Sequence, residues 1–187
     1  MSGASLLVRL TSLRIALVPA VMGLILLEGD WTHWEPVAAA VFAAAAATDF
    51  LDGYLARRWQ VTSALGSFLD TTADKLLVSG ALIALVAVDR TSAWIAMVVV
   101  GRELVILALR GMVASEGSWL EPSVWGKLKT NVQFVAVLLA VLRPGEPLGP
   151  LYLDEWVMLA AAFVTVMSAV EYLTRFAGVL GSAGSSR

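Results

Sequence analysis

Four aspartates stand in two closely spaced pairs within one short part of the chain. Asp49 and Asp52 are three residues apart, and Asp70 and Asp74 are four apart, so each pair shares one face of a helix. The connection Arg58–Ala64 is short, which predicts that the two helices are antiparallel neighbours whose acids converge. Four carboxylates converging near lipid repel one another, and divalent cations are the simplest way to relieve that repulsion.

The residue types in this stretch predict hard metal ions and a phosphate ligand. Carboxylates without His or Cys favour Mg²⁺ or Mn²⁺ over zinc, and two such ions are a common device for stabilising the oxygens in phosphoryl transfer. Gly53 lets a bulky group approach one helix, and Gly66 is placed opposite it on the next. Arg57 lies about one turn beyond Gly53 and can neutralise a diphosphate. The alternative, that the aspartates only cap helix ends or reach towards water, does not account for this interleaved pattern.

The composition predicts an integral membrane protein. The chain has 187 residues, of which 59% are apolar and 15% charged, and its mean hydropathy is +0.81. A soluble globule of this size could not bury so much apolar surface. A net charge of −2 argues against a nucleic-acid partner, and the absence of cysteine excludes disulfides and thiolate metal sites.

The apolar runs predict an all-α fold with six transmembrane helices. We expect a single catalytic domain over residues 1–177 and a disordered tail over residues 178–187. The expected spans are Thr11–Leu27, Val37–Arg57, Leu65–Val88, Ser92–Met112, Trp125–Leu142 and Asp154–Phe176.

The uneven distribution of basic residues predicts the orientation of these spans. If the N-terminus is cytoplasmic, ten of the thirteen Lys and Arg residues fall on the cytoplasmic side. The opposite side then receives only Arg90 and Arg143, while Arg102 lies within a span. By the positive-inside rule both termini are cytoplasmic, and the aspartates lie at the cytoplasmic boundary of the membrane.

The acidic stretch resembles the signature of a known family. Its eight fixed positions match the pattern of the CDP-alcohol phosphatidyltransferases, and a chance match at a given start is on the order of one in 10⁹. The stretch reads Asp49-x2-Asp52-Gly53-x2-Ala56-Arg57-x8-Gly66-x3-Asp70-x3-Asp74.

Three further elements are similar to the phosphatidylglycerophosphate synthases of that family. They are FLDTTADK at residues 68–75, Gly101-Arg102-Glu103 with Arg110 eight residues after Arg102, and GKLKT at residues 126–130 followed by Gln133. Two departures accompany them. Thr71 replaces a usual proline, and the segment Ser5–Arg9 lacks the Asn-x-Pro-Asn-type element that often opens the family's sequences.

The resemblance implies an enzyme of the bacterial cytoplasmic membrane, a homodimer among membrane lipids, with its active site facing the cytoplasm. Such an enzyme transfers the phosphatidyl group of CDP-diacylglycerol to an alcohol and releases CMP. The resemblance further implies two divalent ions held by the aspartates, with Asp74 as the candidate base. It also implies that the cytidine diphosphate contacts Gly53, Ala56, Arg57 and Gly66.

The expected acceptor is glycerol 3-phosphate, which carries about two negative charges near pH 7 and needs cations of its own. The candidates are Arg102, Arg110, Lys127 and Lys129. Arg102 lies inside a span, where an arginine needs a partner; the alternative is a structural ion pair with Glu103. Lys127 and Lys129 are about 200° apart on a helix, so if the helix is regular there only one can face the pocket, and the other would contact anionic lipid headgroups.

Other functions fit parts of the same pattern. A cardiolipin synthase using phosphatidylglycerol, or a phosphatidylinositol-phosphate synthase, shares the signature and differs in the acceptor. A cation channel or transporter could use the aspartates as an ion path. The boundary position of the acids and the lack of an inverted repeat argue against transport.

Overall fold

A computed structural model describes the backbone of residues 3–29, 32–59, 64–115 and 124–184. It describes side chains over residues 10–29, 32–48, 71–114, 125–126 and 128–177. The described residues form six helices, with an isolated β-bridge between Leu148 and Leu151. The helices are α1 (Gly3–Leu26), α2 (Trp34–Trp59), α3 (Ala64–Ala87), α4 (Ala93–Ser115), α5 (Val124–Leu142) and α6 (Leu153–Gly184).

The all-α class and the six helices are as the sequence predicts, and both ends of α3 and α5 lie within one residue of the expected positions. The two terminal helices are longer than expected. Helix α1 begins at Gly3, and α6 continues to Gly184, past a segment of membrane length, Leu153–Ala177, that ends within one residue of the expected span. The backbone of residues 178–184 is helical, where the sequence predicts a disordered tail. Once a helix is formed, each added residue gains one hydrogen bond, and Val179, Leu180 and Ala183 are compatible with that extension.

Local hydrogen bonds explain where two of the helices stop and start. Asp89 has a left-handed φ of 54°, and the backbone N–H of Arg90 donates to the carbonyl of Leu85 at 2.8 Å, which closes α3 in a Schellman turn. At the start of α6, the carboxylate of Glu155 accepts from the backbone N–H of Tyr152 at 2.8 Å, as in a capping box. These turns fix Arg90 and Glu155 on rigid ends of the bundle.

Helix α3 lies at the centre of the bundle, in contact with α1, α2, α4 and α5, while α6 packs along α5 and α4. Small residues allow the close approach, as is usual between helices in lipid. A Cβ added at Gly80 of α3 would stand 2.8 Å from Val18 Cγ1 and 3.1 Å from Met22 Sδ, both on α1. The contact between α1 and α3 therefore requires glycine at this position.

The outer face of the bundle is apolar. Large side chains such as Met97 and Phe163 are 67% and 63% exposed, a surface that suits acyl chains rather than water. Among the described residues, one segment, Leu153–Ala177, is long and apolar enough to cross a bilayer by itself. Shorter apolar stretches lie in other helices, at Leu10–Leu26, Trp34–Thr48 and Leu128–Leu142.

Candidate active site

Three cations from three helices meet at one buried carboxylate, Glu103 of α4. Its Oε1 contacts Lys129 Nζ of α5 and lies 3.2 Å from Arg102 Nη1 of α4. Its Oε2 lies 3.1 Å from Lys75 Nζ of α3. We call these four residues the Glu103 cluster. The cluster brings Arg102 and Lys129, two of the residues predicted for the acceptor pocket, to the same carboxylate, and their role as acceptor ligands stays a prediction.

Helix α6 fixes the arginine of the cluster from a second side. Arg102 Nη2 donates to Ser168 Oγ at 2.6 Å, and the guanidinium carbon lies 5.3 Å from the ring centroid of Tyr172. A hydroxyl and an aromatic face together hold a guanidinium plane in one orientation. The direction of Arg102 is therefore set by α6 as well as by Glu103.

A parallel chain of polar contacts supports the lysine of the cluster. Lys129 Nζ lies 3.5 Å from Gln133 Oε1, and Gln133 Nε2 donates to Thr165 Oγ1 of α6 at 2.8 Å. The Thr165 hydroxyl donates in turn to the carbonyl of Ala161 at 2.7 Å. Each buried polar group in this chain has a partner, which is the condition for a polar network inside a helix bundle.

The Glu103 cluster carries three positive charges and one negative charge. Arg102, Glu103 and Lys129 are 8%, 4% and 5% exposed, so water screens these charges poorly. A surplus of positive charge is costly in such surroundings unless an anion joins it. The cluster therefore has the charge and the donors of an anion site.

Asp74 precedes Lys75 on α3 and lies close to this cluster. Its Oδ1 is buried and accepts no hydrogen bond from the described residues. The charges of Lys75, Lys129, Glu103 and Arg14 act on its carboxylate. An oxygen with unused acceptor capacity beside several cations can take a proton or coordinate a metal ion.

Arg14 connects α1 to the part of α2 that carries the first aspartates. It is fully buried, and its Nε donates to Thr48 Oγ1 at 3.2 Å. The Thr48 hydroxyl donates to the carbonyl of Ala45 at 2.7 Å. Thr48 immediately precedes Asp49, so α1 contributes a cation next to the acidic stretch.

The other sequence-predicted site residues are only partly described. Arg110 is partly buried on α4, eight residues beyond Arg102. The remaining residues are helical, but their side chains lie outside the described part of the chain, so their predicted roles stay predictions. They are Asp49, Asp52, Gly53, Ala56 and Arg57 on α2, Gly66 and Asp70 on α3, and Lys127 on α5.

Sequence reasoning missed the contribution of α6. Thr165, Ser168 and Tyr172 are three and four residues apart, so they line one face of a helix that is otherwise apolar. Polar residues repeated at this spacing in a membrane-spanning segment indicate a buried network, and this signal was present in the sequence.

The described side chains include no group of three or more His, Cys, Asp or Glu residues arranged to hold a metal ion. Asp74, which the sequence assigns to the metal site, is the one aspartate of the four with a described side chain. Its unpartnered Oδ1 fits a cation, and a donor set made only of carboxylates suits a hard divalent ion.

A comparison with protein families finds a match over most of the chain. The model of the CDP-alcohol phosphatidyltransferase family matches residues 8–167, which include the four aspartates and the Glu103 cluster. The chain belongs to this family. The family resemblance predicted from the sequence is therefore confirmed, and with it an enzyme that is integral to membranes and uses a divalent metal.

Curated relatives cover nearly the same length. The CDP-diacylglycerol–glycerol-3-phosphate 3-phosphatidyltransferase of Bacillus subtilis is 39% identical over 181 residues, which cover 89% of this chain and 92% of the relative. The proteins of the same name from Pseudomonas fluorescens and Escherichia coli are 38% and 37% identical. These alignments cover 88% of this chain in both cases, and 86% and 91% of the relatives.

Proposed function

We propose that this chain transfers the phosphatidyl group of CDP-diacylglycerol to sn-glycerol 3-phosphate, giving phosphatidylglycerophosphate and CMP. The names of its full-length relatives support this reaction. The single structural observation that carries the choice of acceptor is the Glu103 cluster, in which two buried cations, Arg102 and Lys129, and the partly buried Lys75 share one carboxylate.

The surplus charge of the cluster matches the phosphate of this acceptor. Near pH 7 a phosphate monoester carries between about 1.5 and 2 negative charges, and the cluster has two more positive charges than negative ones. Arg102 has five N–H donors and Lys129 has three, more than their contacts with Glu103, Ser168 and Gln133 use. Donors therefore remain for phosphate oxygens. Arg110 is proposed to complete the basic pocket, whereas Lys127, about 200° from Lys129 on α5, is proposed to contact anionic lipid headgroups.

The four aspartates are proposed to hold two divalent ions, Mg²⁺ or Mn²⁺. When bound, such ions neutralise the diphosphate and favour the departure of CMP. The cytidine diphosphate is proposed to lie against α2 and α3, where small residues leave room and an arginine supplies charge. The metal residues are Asp49, Asp52, Asp70 and Asp74, and the nucleotide residues are Gly53, Ala56, Arg57 and Gly66.

Asp74 is proposed to take the proton of the acceptor hydroxyl. The hydroxyl oxygen of glycerol 3-phosphate attacks the phosphorus that carries the diacylglycerol, the bond from that phosphorus to CMP breaks, and the proton passes to Asp74. The unpartnered Oδ1 of Asp74 supports this role, because a general base needs an oxygen that is not already engaged. Its position next to Lys75 links it to the cluster that orients the acceptor.

The proposed site faces the cytoplasm of a bacterial cell, in a homodimer whose protomers each cross the membrane six times with both termini inside. The distribution of basic residues supports this orientation. The chain has no native cysteine, so single cysteines report sidedness cleanly. In intact cells, a membrane-impermeant maleimide should label Glu146→Cys but not Ser186→Cys, and the reverse labelling would contradict the orientation.

The reaction is tested by measuring CMP release from CDP-diacylglycerol with purified protein and Mg²⁺ or Mn²⁺. The acceptor is glycerol 3-phosphate, phosphatidylglycerol or an inositol phosphate. We expect turnover with glycerol 3-phosphate alone. Turnover only with phosphatidylglycerol or an inositol phosphate would identify a sister reaction of the same family, and metal-dependent ion flux in proteoliposomes without CMP would favour transport.

A further inference from the structure

Glu103 contacts three cationic side chains that belong to three different helices. Lys75 comes from α3, Arg102 from α4 and Lys129 from α5, and their sequence positions span 55 residues. Both oxygens of the carboxylate are used, Oε1 towards Lys129 and Arg102 and Oε2 towards Lys75. The carboxylate of Glu103 thus links α3, α4 and α5 through ion pairs.

Three cations do not stay together in the interior of a membrane protein without such a group. Like charges repel strongly where water is excluded, and lysine stems are flexible enough to swing apart. The neighbours on α5 and α6, Gln133 and Ser168, offer neutral oxygens that orient Lys129 and Arg102 but do not offset their charge. Asp74 also interacts electrostatically with Lys75 and Lys129, but Glu103 is the carboxylate that contacts all three cations and holds them within reach of one ligand.

We propose that Glu103 is a positioning residue that gathers Lys75, Arg102 and Lys129 into a preformed site for a phosphate monoester, and thereby sets the class of acceptor. The inference rests on the proposed function, because it takes the acceptor phosphate to be the ligand of these cations. Glu103 itself repels that phosphate and acts only through the cations.

The charge of the preformed site discriminates among acceptors. Within the four residues of the cluster the surplus is two positive charges, which a phosphate monoester neutralises almost fully, while the nearby carboxylate of Asp74 is assigned to the proposed metal ions. A phosphate diester brings one negative charge and a free polyol brings none, so both leave buried positive charge unmatched. Selectivity for the monoester then follows from the cost of that unmatched charge.

The test is Glu103→Gln, which keeps the shape of the side chain and removes its charge. Measured by CMP release, the KM for glycerol 3-phosphate should rise about 10- to 100-fold, because the acceptor must now gather the cations itself. The KM for CDP-diacylglycerol and kcat at saturating acceptor should stay within about twofold of the wild type. The matched control is Glu171→Gln, which neutralises a carboxylate paired with the exposed Arg175 and should change neither KM.

Glu103→Asp serves as a second variant, since it keeps the charge but is one methylene shorter. It should show the same selective rise in acceptor KM, smaller than that of Glu103→Gln, and it covers the case in which Glu103→Gln does not fold. An unchanged or lowered acceptor KM in a folded variant would overturn the inference, as would an equal change in both KM values. If the wild type itself does not use glycerol 3-phosphate, the proposed function fails instead, so the two failures are distinct.

Discussion

The two halves of the bundle use arginine and lysine in opposite ways. At the end that carries the α3–α4 and α5–α6 turns, each arginine is outnumbered by acids. Arg90 lies 2.7 Å from both Glu28 and Glu35, and Arg143 lies 3.4 Å from Asp154 and 3.7 Å from Glu155. In the Glu103 cluster the ratio is reversed, with three cations to one acid.

Arg90 and Arg143, each paired with two carboxylates, link helix ends and turns of the bundle. Arg90 joins the ends of α1 and α3 to the start of α2, and its guanidinium lies 5.0 Å from the ring of Trp34. Burial by itself lowers the pKa of Arg90, but the hydrogen bonds to Glu35 and Glu28 outweigh burial and raise its pKa above the ordinary value. Arg90 therefore stays charged at physiological pH, and two carboxylates offset that charge.

The comparison teaches that the balance of charge separates a structural ion pair from a ligand site more clearly than burial does. Arg90 and Arg102 are equally buried, at 8% exposure each. Only Arg102 belongs to a cluster with surplus positive charge.

Asp74→Asn should have the largest effect, because it removes the proposed base next to the cationic cluster. We expect kcat to fall by about 10²- to 10⁴-fold with little change in melting temperature. CMP release and a thermal melt in detergent measure the two quantities. A variant that keeps wild-type kcat would exclude Asp74 as the base.

Lys129→Met should weaken acceptor binding without affecting the nucleotide. Removal of one cation from the Glu103 cluster lowers its surplus charge from two to one, so the KM for glycerol 3-phosphate should rise about 10- to 100-fold. The KM for CDP-diacylglycerol should stay near the wild-type value. Equal rises in both constants would show that Lys129 supports the fold rather than the acceptor.

Arg90→Met should lower the stability of the protein and leave acceptor binding unchanged, the opposite of the effect expected for Lys129→Met. It leaves Glu28 and Glu35 without their partner and should destabilise the protein by about 2 kcal/mol, because the pair is only partly buried. The KM for glycerol 3-phosphate of the folded protein should be unchanged. A selective change in the KM for glycerol 3-phosphate would show that Arg90 takes part in acceptor binding and is not only a structural residue.

Gly80→Ala destabilises the bundle without touching either group of charges. The added Cβ would meet Val18 Cγ1 at 2.8 Å, so α1 and α3 must separate slightly, at a cost of about 1 to 3 kcal/mol. The melting temperature should fall while the ratio of the two KM values stays constant. Unaltered stability would show that α1 adjusts freely at this contact.

Arg175→Met should have the smallest effect. Arg175 is half-exposed and pairs with Glu171 one turn earlier at 2.6 Å, a contact worth less than about 0.5 kcal/mol on a helix surface. We expect wild-type activity and a melting temperature within error of the wild type. A larger loss would point to a contact of Arg175 with a partner subunit or lipid.

The six helices were predictable because long apolar runs alternate with short polar breaks. The boundaries of α3 and α5 follow directly from these runs. The extension of α6 to Gly184 was not predictable in the same way, because Gly178 and Gly181 mark a helix end in composition but do not force one. The spacing of Glu171 and Arg175, four residues apart on α6, is sufficient to explain the pair they form on the helix surface.

Spacing within one helix identified candidate residues but not their contacts with other helices. The sequence proposed Arg102, Arg110 and one of Lys127 and Lys129 for the acceptor pocket, with a pair between Arg102 and Glu103 as the alternative. The structure contains that pair, but it also brings Lys75 and Lys129 to the same carboxylate. Contacts between α3, α4 and α5 depend on how helices rotate against one another, which spacing along one helix does not determine.

The most direct test of the account is the selectivity between glycerol 3-phosphate and glycerol, which differ only in the phosphate. The kcat/KM for each acceptor is measured by CMP release with the wild type and with Lys129→Met. We predict a strong preference for glycerol 3-phosphate in the wild type and a preference about 10- to 100-fold weaker in the variant. Equal use of the two acceptors by the wild type, or a preference that Lys129→Met leaves unchanged, would contradict the assignment of the surplus charge to the acceptor phosphate.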